Sequence, residues 1–505
     1  MAVVLDRPAD LFNREHEWAT LSEFVSDPTP GLRIGIVYGR RRQGKSFPLR
    51  RLASATGGFY YQALEHEASQ TLAELGESIG THLGFGRLAL ASWEEVISSL
   101  GRLAPAKADG PLLAGLPQSG VATSSVMKPS VAILDEFPYL LERSPELPSL
   151  LQRSVDRSRE ENGPAIRLIL CGSAISVMAN LLEGQGALRG RVHTNLLVRP
   201  FGYVESMRFW GLDDPRLAFR VDAIVGGTPG YRELVRSTPS SLADLDSWVV
   251  DEVLTPASAL FREDEWLLGE QRGMENRALY LSVLASVALG NCTQTSIANQ
   301  LGRSQQSVLH PLDALVRANF LDKDDDVVRQ RRPVYRVADP IIRFHQVVRH
   351  PRSALFEDRR GVEAWSDAKQ SFESLVLGPH FERLAREYLA RRGVALFDAP
   401  IVTVGTTVVN DKDMRAAHQL DIVALSPGTG TRNRVIEAIG EAKLRYLDGR
   451  DLARLDRIRT LMPEAKGARL VLASASGFSQ ELISAAAARS DVRLVGLEEL
   501  YSDDQ

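Results

Sequence analysis

Residues 33–55 read RIGIVYGRRRQGKSFPLRRLASA, an apolar β-compatible run, a glycine-bounded loop and then a helical stretch. The loop, Gly39-Arg40-Arg41-Arg42-Gln43-Gly44-Lys45-Ser46, fits G-x-x-x-x-G-K-[ST] and stands between a strand and a helix, the context that a phosphate-binding loop requires. Glycines let such a backbone curl so that its N–H groups point at the β-phosphate of a nucleoside triphosphate. Lys45 brings a mobile charge to the β- and γ-phosphates, and the Ser46 hydroxyl joins the shell of a magnesium ion. Pro48 falls in the first helical turn, where a missing N–H costs nothing. The expected ligand is ATP with Mg2+.

Around this loop, short β-rich runs alternate with amphipathic helical stretches over the first two hundred residues. RIGIVYG, GFYYQAL, SVAILDEF and RLILCGS are the expected strands, a pattern that predicts a parallel sheet with crossover helices. VAILDEFPYL is a continuous apolar run ending in Asp135 and Glu136, at the carboxyl end of a buried strand, where α/β folds place their ligands. Asp135 is expected to hold the magnesium shell, and Glu136 to orient or deprotonate the attacking water. Further on, LRGRVHTNLLVRPF carries Arg189 and Arg191. Either would reach a γ-phosphate in cis or across a subunit interface; a solvated surface charge is the other reading. Residues 104–129, rich in Gly, Pro, Ser and Ala, read as a surface insertion.

FNREHEWATL, GRRRQGKS, LDEFPYL, GSAISVM, GRVHTNLLVRPFGYVE and GGTPGY follow one another in an order that resembles the prokaryotic archaeal-type AAA ATPases, near the origin-recognition and signal-transduction branches. The resemblance covers most of the chain. It implies that Phe12 to Glu15 lies near the adenine and that Gly227 and Pro229 belong to a helical lid. It also implies that Ser173, ending RLILCGS, is a polar sensor residue, although a helix-capping serine suits that position as well. The family also carries a winged helix and a C-terminal domain.

The later sequence agrees with that outline. NRALYLSVLASVALG, TQTSIANQLG and SQQSVLHPLDALVRANF are three helical blocks with short turns, the outline of a helix-turn-helix, and DKDDD reads as a turn between two β-compatible runs, a wing. Arg303, Gln305, Gln306 and Ser307 would face phosphates or base edges, and Arg329, Arg331 and Arg332 would contact phosphates from the wing. Against a DNA contact stand the acidic wing turn and Pro311, which is expected to interrupt the second helix.

The last region contains HQLDIVALSPGTGTRNRVIEAIGEAKLRY, two apolar strands joined by a turn-rich segment. Asp421 is on the first strand. Glu441 and Lys443 are two apart on the second and therefore face one side. Asp followed by Glu-x-Lys resembles the PD-(D/E)xK nuclease arrangement, with carboxylates for Mg2+ or Mn2+ and a lysine for the nucleophile. Glu382, on the preceding helix, matches that fold's helix acid; the alternative for Glu-x-Lys is an ordinary salt bridge. RLVLASASGF and VRLVGLEEL read as the remaining strands. The expected organisation is an ATPase domain at 1–205, a lid at 206–273, a winged helix at 274–345, a linker at 346–370 and a restriction-endonuclease-like α/β domain at 371–505.

Composition bounds the partners. The 505 residues are 44% hydrophobic and 25% charged with net charge −4, which argues against a protein coated in nucleic acid but leaves room for a local basic face. Two cysteines, Cys171 and Cys292, supply neither a disulfide framework nor a zinc knuckle. A start without a long apolar region, and no apolar run of membrane-spanning length, lead to the expectation of a cytoplasmic protein. The functional expectation is an ATP-hydrolysing protein acting on DNA, with room for a homo-oligomer. The alternative is an ATP-dependent regulatory switch with an inactive C-terminal binding module.

Overall fold

The computed structural model describes residues 5–103, 128–161, 163–184, 186–271, 274, 276–329, 333–428 and 434–502. Most of the 104–129 insertion, Arg331, Arg332 and residues 429–433 of the expected C-terminal turn lie outside the described residues. The chain divides into two compact units, one of residues 1–200 with 270–273, the other of residues 201–269 with 274–505.

The first unit is built on a parallel sheet of β1 (Leu32–Tyr38), β2 (Phe59–Gln62), β3 (Ser130–Asp135), β4 (Ile166–Gly172) and β5 (Val192–Leu197), in the order β2-β3-β4-β1-β5. The central strands β3 and β4 are buried along their whole length, which is why their sequences are unbroken apolar runs. Apolar layers lie on both faces, Leu49 and Leu52 on one and Leu75, Ile79 and Leu151 on the other. Four strands match those expected. The fifth, β5, was hidden in VHTNLL, because an edge strand alternates exposed His193 and Asn195 with inward residues.

Pairing register decides what meets at the sheet's carboxyl edge. Tyr38 pairs with Gly172 and Leu134 with Leu170, so the residues at the carboxyl ends of β1, β3 and β4 lie side by side. These are Gly39, Asp135 with Glu136, and Ser173. At the other end, Ile34 pairs with Val192, which sets Arg191 at the amino edge, roughly 15 Å back along the strands.

In the second unit, helices Arg277–Ala288, Gln294–Gln300 and Gln305–Arg317 are followed by an antiparallel pair, β6 (Leu321–Asp324) and β7 (Val334–Val337). Two expectations need correcting. Asp322 and Asp324 belong to β6 rather than to a turn, because pairing with Arg336 and Val334 extends the strand. Pro311 does not interrupt the helix Gln305–Arg317; the carbonyl that its ring deprives of a backbone donor belongs to Ser307, which is exposed.

The segment expected as a linker is helical and well packed, with Val347, Phe356 and Trp365 buried. Helix runs without a break from Gly361 through Phe397, with a π turn at Phe372–Leu377 in which the Gly378 N–H donates to Glu373. The wider turn falls just before Pro379, whose missing N–H and bulky ring a regular turn would not accommodate. A domain boundary at residue 371 would cut this helix.

The second sheet is mixed, in the order β12-β11-β10-β9-β8, from β8 (Thr403–Asp411), β9 (Ala416–Pro427), β10 (Arg434–Lys443), β11 (Arg469–Ser474) and β12 (Val492–Gly496). Strands β8, β9 and β10 are antiparallel neighbours, while β11 and β12 run parallel to β10. A helix at Gly449–Thr460, absent from the sequence reading, connects β10 to β11, and LEEL is helical rather than part of β12. The β6–β7 hairpin leans on edge strand β8: Thr407 donates to Asp326 at 2.8 Å, Arg336 to the Thr406 hydroxyl at 3.2 Å, and Val327 N–H to the Thr406 carbonyl at 3.3 Å. Gly405 is needed there, since a Cβ would lie 2.3 Å from Val327. Among the described residues no helix is long and apolar enough to cross a membrane.

Candidate functional site

The phosphate loop is held from three sides. Within it, Arg40 N–H donates to the Gln43 side-chain oxygen at 2.8 Å and Lys45 Nζ donates to the Arg40 carbonyl at 2.8 Å. Gly44, at φ 79°, occupies the left-handed region that a side chain resists. From outside, Arg41 pairs with Glu270, and the buried Arg14 donates to the Gln43 carbonyl at 3.0 Å. The latter contact brings the Phe12 to Glu15 segment to the loop. Arg14 was not singled out from sequence as a loop support, and nothing in local patterning marks a contact spanning that distance.

Asp135 is completely buried at the end of β3. Its Oδ1 accepts the Glu136 N–H at 2.9 Å and its Oδ2 accepts the Tyr60 hydroxyl at 2.5 Å. Burial pushes its pKa up, but hydrogen bonds from Cys171, Ser46, Tyr60 and the Glu136 N–H outweigh burial and hold the carboxyl below its usual range. Cys171 beneath it is pushed far up by burial and keeps its proton.

Glu136 sits at φ 53°, a strained position for a non-glycine residue that turns its side chain out of the strand. Burial raises its pKa and the Asp135 charge adds to that, while Lys45 and the hydrogen bond from Ser173, at 3.0 Å, pull it down. A raised carboxylate is the better proton acceptor. Lys45, Ser46, Asp135, Glu136 and Ser173 are therefore brought together. Arg191 is not: it forms a fork with Asp156, Nε to Oδ1 at 2.9 Å and Nη2 to Oδ2 at 2.9 Å, at the amino edge of the sheet, so a cis reach to this loop is ruled out. Arg189 donates to the Gly184 carbonyl.

A second constellation lies where β9 and β10 meet the helix Gly378–Phe397. Register pairs Gly440 with Ile422, so Asp421 and Glu441 come next on neighbouring strands. Lys443 Nζ donates to Asp421 Oδ2 at 2.6 Å, and the Ala442 N–H reaches the same oxygen at 3.2 Å. Arg454, from the helix that sequence reading omitted, grips buried Glu441 at 2.6 and 2.8 Å. Burial and the nearby Asp421 push Glu382 up to about 7 against the pull of Arg386, Lys443 and Arg336. Arg386, one turn along from Glu382, donates to the Asp421 carbonyl at 3.0 Å and was findable from its helical spacing.

Clustered acids whose charges repel suit a divalent cation, so Asp421 and Glu441 fit a metal by donor chemistry. Among the described residues, Glu382, Asp421 and Glu441 do not converge to within 4.8 Å, whereas Asp264, Glu265 and His350 do. That second group already holds a cation. Arg349 Nη2 lies 3.2 Å from Asp264, 2.6 Å from Glu265 and 2.9 Å from His350 Nε2.

The first unit is a parallel α/β sheet bearing a P-loop. No protein-family model matches the chain. It is 23% identical over 381 residues to an uncharacterized protein of Methanocaldococcus jannaschii, the match taking in 75% of this chain and 76% of that one. Among solved structures it is similar to a Walker-type ATPase of Pyrococcus abyssi, at 19% identity and TM-score 0.44 over 67% of this chain and 97% of that one. It is also similar to the ORC2 protein of Aeropyrum pernix in its ADPNP-ADP complexes, at 13% identity and TM-score 0.42 over 72% and 96% of the two chains.

Proposed function

We propose that the chain binds and hydrolyses ATP as an AAA-type protein and acts on DNA through its second unit. The observation that carries the ATP reading is the meeting of Lys45, Ser46, Asp135, Glu136 and Ser173 at one sheet edge. Lys45 and the loop N–H groups would bind the β- and γ-phosphates. Ser46 and Asp135 would hold the magnesium ion, which when bound neutralises phosphate charge. Glu136, steadied by Ser173, would take the proton of the attacking water. ATP turnover by the wild type in Mg2+ that disappears in Lys45→Ala supports this; turnover unchanged by that substitution rejects it.

For the DNA reading, the support is the helix pair Gln294–Gln300 and Gln305–Arg317, with Arg303, Gln305, Gln306 and Ser307 all exposed at the start of the second helix. With the hairpin resting on β8, the helix rather than the wing is the element that would reach DNA. The C-terminal constellation supports a metal-dependent nuclease, in which Asp421 and Glu441 would hold Mg2+ or Mn2+ and Lys443 would position the water, with Glu382 beside them. One observation favours a switch with an inactive binding module instead: Asp421 and Glu441 are already neutralised by Lys443 and Arg454. Incubating DNA and Mn2+ with wild type, Asp421→Ala and Lys443→Ala separates the two. Cleavage lost in both variants supports the nuclease, and ATP turnover without cleavage by the wild type supports the switch.

A further inference from the structure

We infer that Tyr60 is a positioning residue for Asp135, fixing the carboxylate that holds the nucleotide's divalent cation; the inference rests on the ATP reading of the P-loop site. Tyr60 belongs to β2, the strand hydrogen-bonded to β3, and its backbone pairs with Ile133, two residues short of Asp135. The offset along the strand is ~6.6 Å, which the length of a phenol side chain bridges. Its hydroxyl donates to Asp135 Oδ2 at 2.5 Å.

The phenol is itself oriented. Arg50 stands one helical turn after Ser46 on the helix Ser46–Thr56. Its Nε donates to the Tyr60 hydroxyl at 3.3 Å, its Nη2 donates to Gln62 at 2.8 Å, and its guanidinium carbon lies 5.4 Å from the centre of the Tyr60 ring. A hydroxyl that accepts from Arg50 directs its own hydrogen elsewhere, and Asp135 is where it goes. Arg50 thus ties Tyr60 to the helix that carries Ser46. The other carboxylate oxygen of Asp135 is fixed by the Glu136 N–H at 2.9 Å.

With Tyr60 and the Glu136 N–H on its two oxygens, and Cys171 and Ser46 also donating to it, the carboxylate is held in one orientation and its remaining lone pairs have a set direction. A cation held jointly by Ser46 and Asp135 needs that direction, because magnesium tolerates little departure from octahedral geometry. Removing the Tyr60 hydroxyl leaves Asp135 in place but frees the Oδ2 side that Tyr60 held, so the carboxylate is less firmly oriented. The cost falls on the cation and not on the phosphate cradle, which Tyr60 does not touch.

The test is a titration of a fluorescent ATP analogue into full-length wild type, Tyr60→Phe and Asp135→Asn, in Mg2+ and in EDTA, with thermal melting alongside. Tyr60→Phe is expected to lower the magnesium-dependent gain in affinity about ten-fold, the scale of one hydrogen bond to a charged group, while its affinity in EDTA stays at the wild-type value. An unchanged magnesium gain, or an equal loss in EDTA, overturns the role of Tyr60. A wild type with no magnesium gain, or an Asp135→Asn variant that keeps it, overturns the ATP reading on which the role rests.

Discussion

Gly39→Ala tests whether the end of β1 is built as tightly as the site requires. A Cβ at this position would lie 2.3 Å from the Val198 carbonyl oxygen and 2.9 Å from the Gln43 side-chain oxygen. The first distance is about 1 Å short of an ordinary contact. Val198 cannot retreat freely, because its N–H donates to the Tyr38 carbonyl at 2.7 Å. Gln43 cannot either without releasing the Arg40 N–H. Overpacking of this kind costs about 1–3 kcal/mol, which lowers the melting temperature of a unit this size by about 6 °C. Function should suffer more than stability, since a 1 Å displacement of a positioned group costs about 100-fold in rate. Steady-state ATP turnover and thermal melting of wild type and Gly39→Ala, measured together, provide the assay. A variant that melts and turns over like the wild type would refute the reasoning.

Other substitutions probe single contacts. Ser173→Ala removes the donor on Glu136 and is expected to lower kcat for ATP about ten-fold with little change in KM; a change confined to KM would show that Ser173 serves binding instead. Arg14→Ala takes away a buried donor to the loop carbonyl of Gln43 and should weaken ATP about ten-fold by equilibrium titration, without contact to the nucleotide's reacting end; wild-type affinity would contradict the support assigned to it. In the second unit, burial pushes His380 down to about 4 from its ordinary 6.5, outweighing the pull of Asp222, so the unfolded chain binds a proton that the folded chain refuses. Stability from this group is complete above 6.5 and falls as pH drops toward 4. Denaturant melts across that range should show a slope steeper in wild type than in His380→Asn by up to about 1.4 kcal/mol per pH unit; equal slopes would refute it.

The P-loop and the Asp135-Glu136 pair were legible because each couples an apolar run to a polar end at fixed spacing, and a parallel sheet necessarily brings such ends together. Asp421, Glu441 and Lys443 were legible for the similar reason that strand alternation sets which side chains share a face. What escaped were partners supplied by other elements. Tyr60 reaches the site across a strand pair and Arg14 from the residue just before the helix Glu15–Ser26, and Arg454 comes from a helix whose charged sequence, RDLARLDRIRT, hides its buried Leu452, Leu455 and Ile458. Arg191 misled because β5 alternates like a loop, and without its register neither end of the strand is marked as the functional one. The supposed linker at 346–370 misled because its short helices owe their packing to Phe344, Trp365 and Phe372, a cluster of rings separated in sequence.

The central claim is that Glu136 activates water over a nucleotide held by Lys45, Ser46 and Asp135. Its most direct measurement is single-turnover hydrolysis of radiolabelled ATP by full-length wild type and Glu136→Gln in Mg2+, with bound nucleotide recovered from both. The account predicts that Glu136→Gln binds ATP as tightly as the wild type and returns it unhydrolysed. Hydrolysis by Glu136→Gln at the wild-type rate would contradict it.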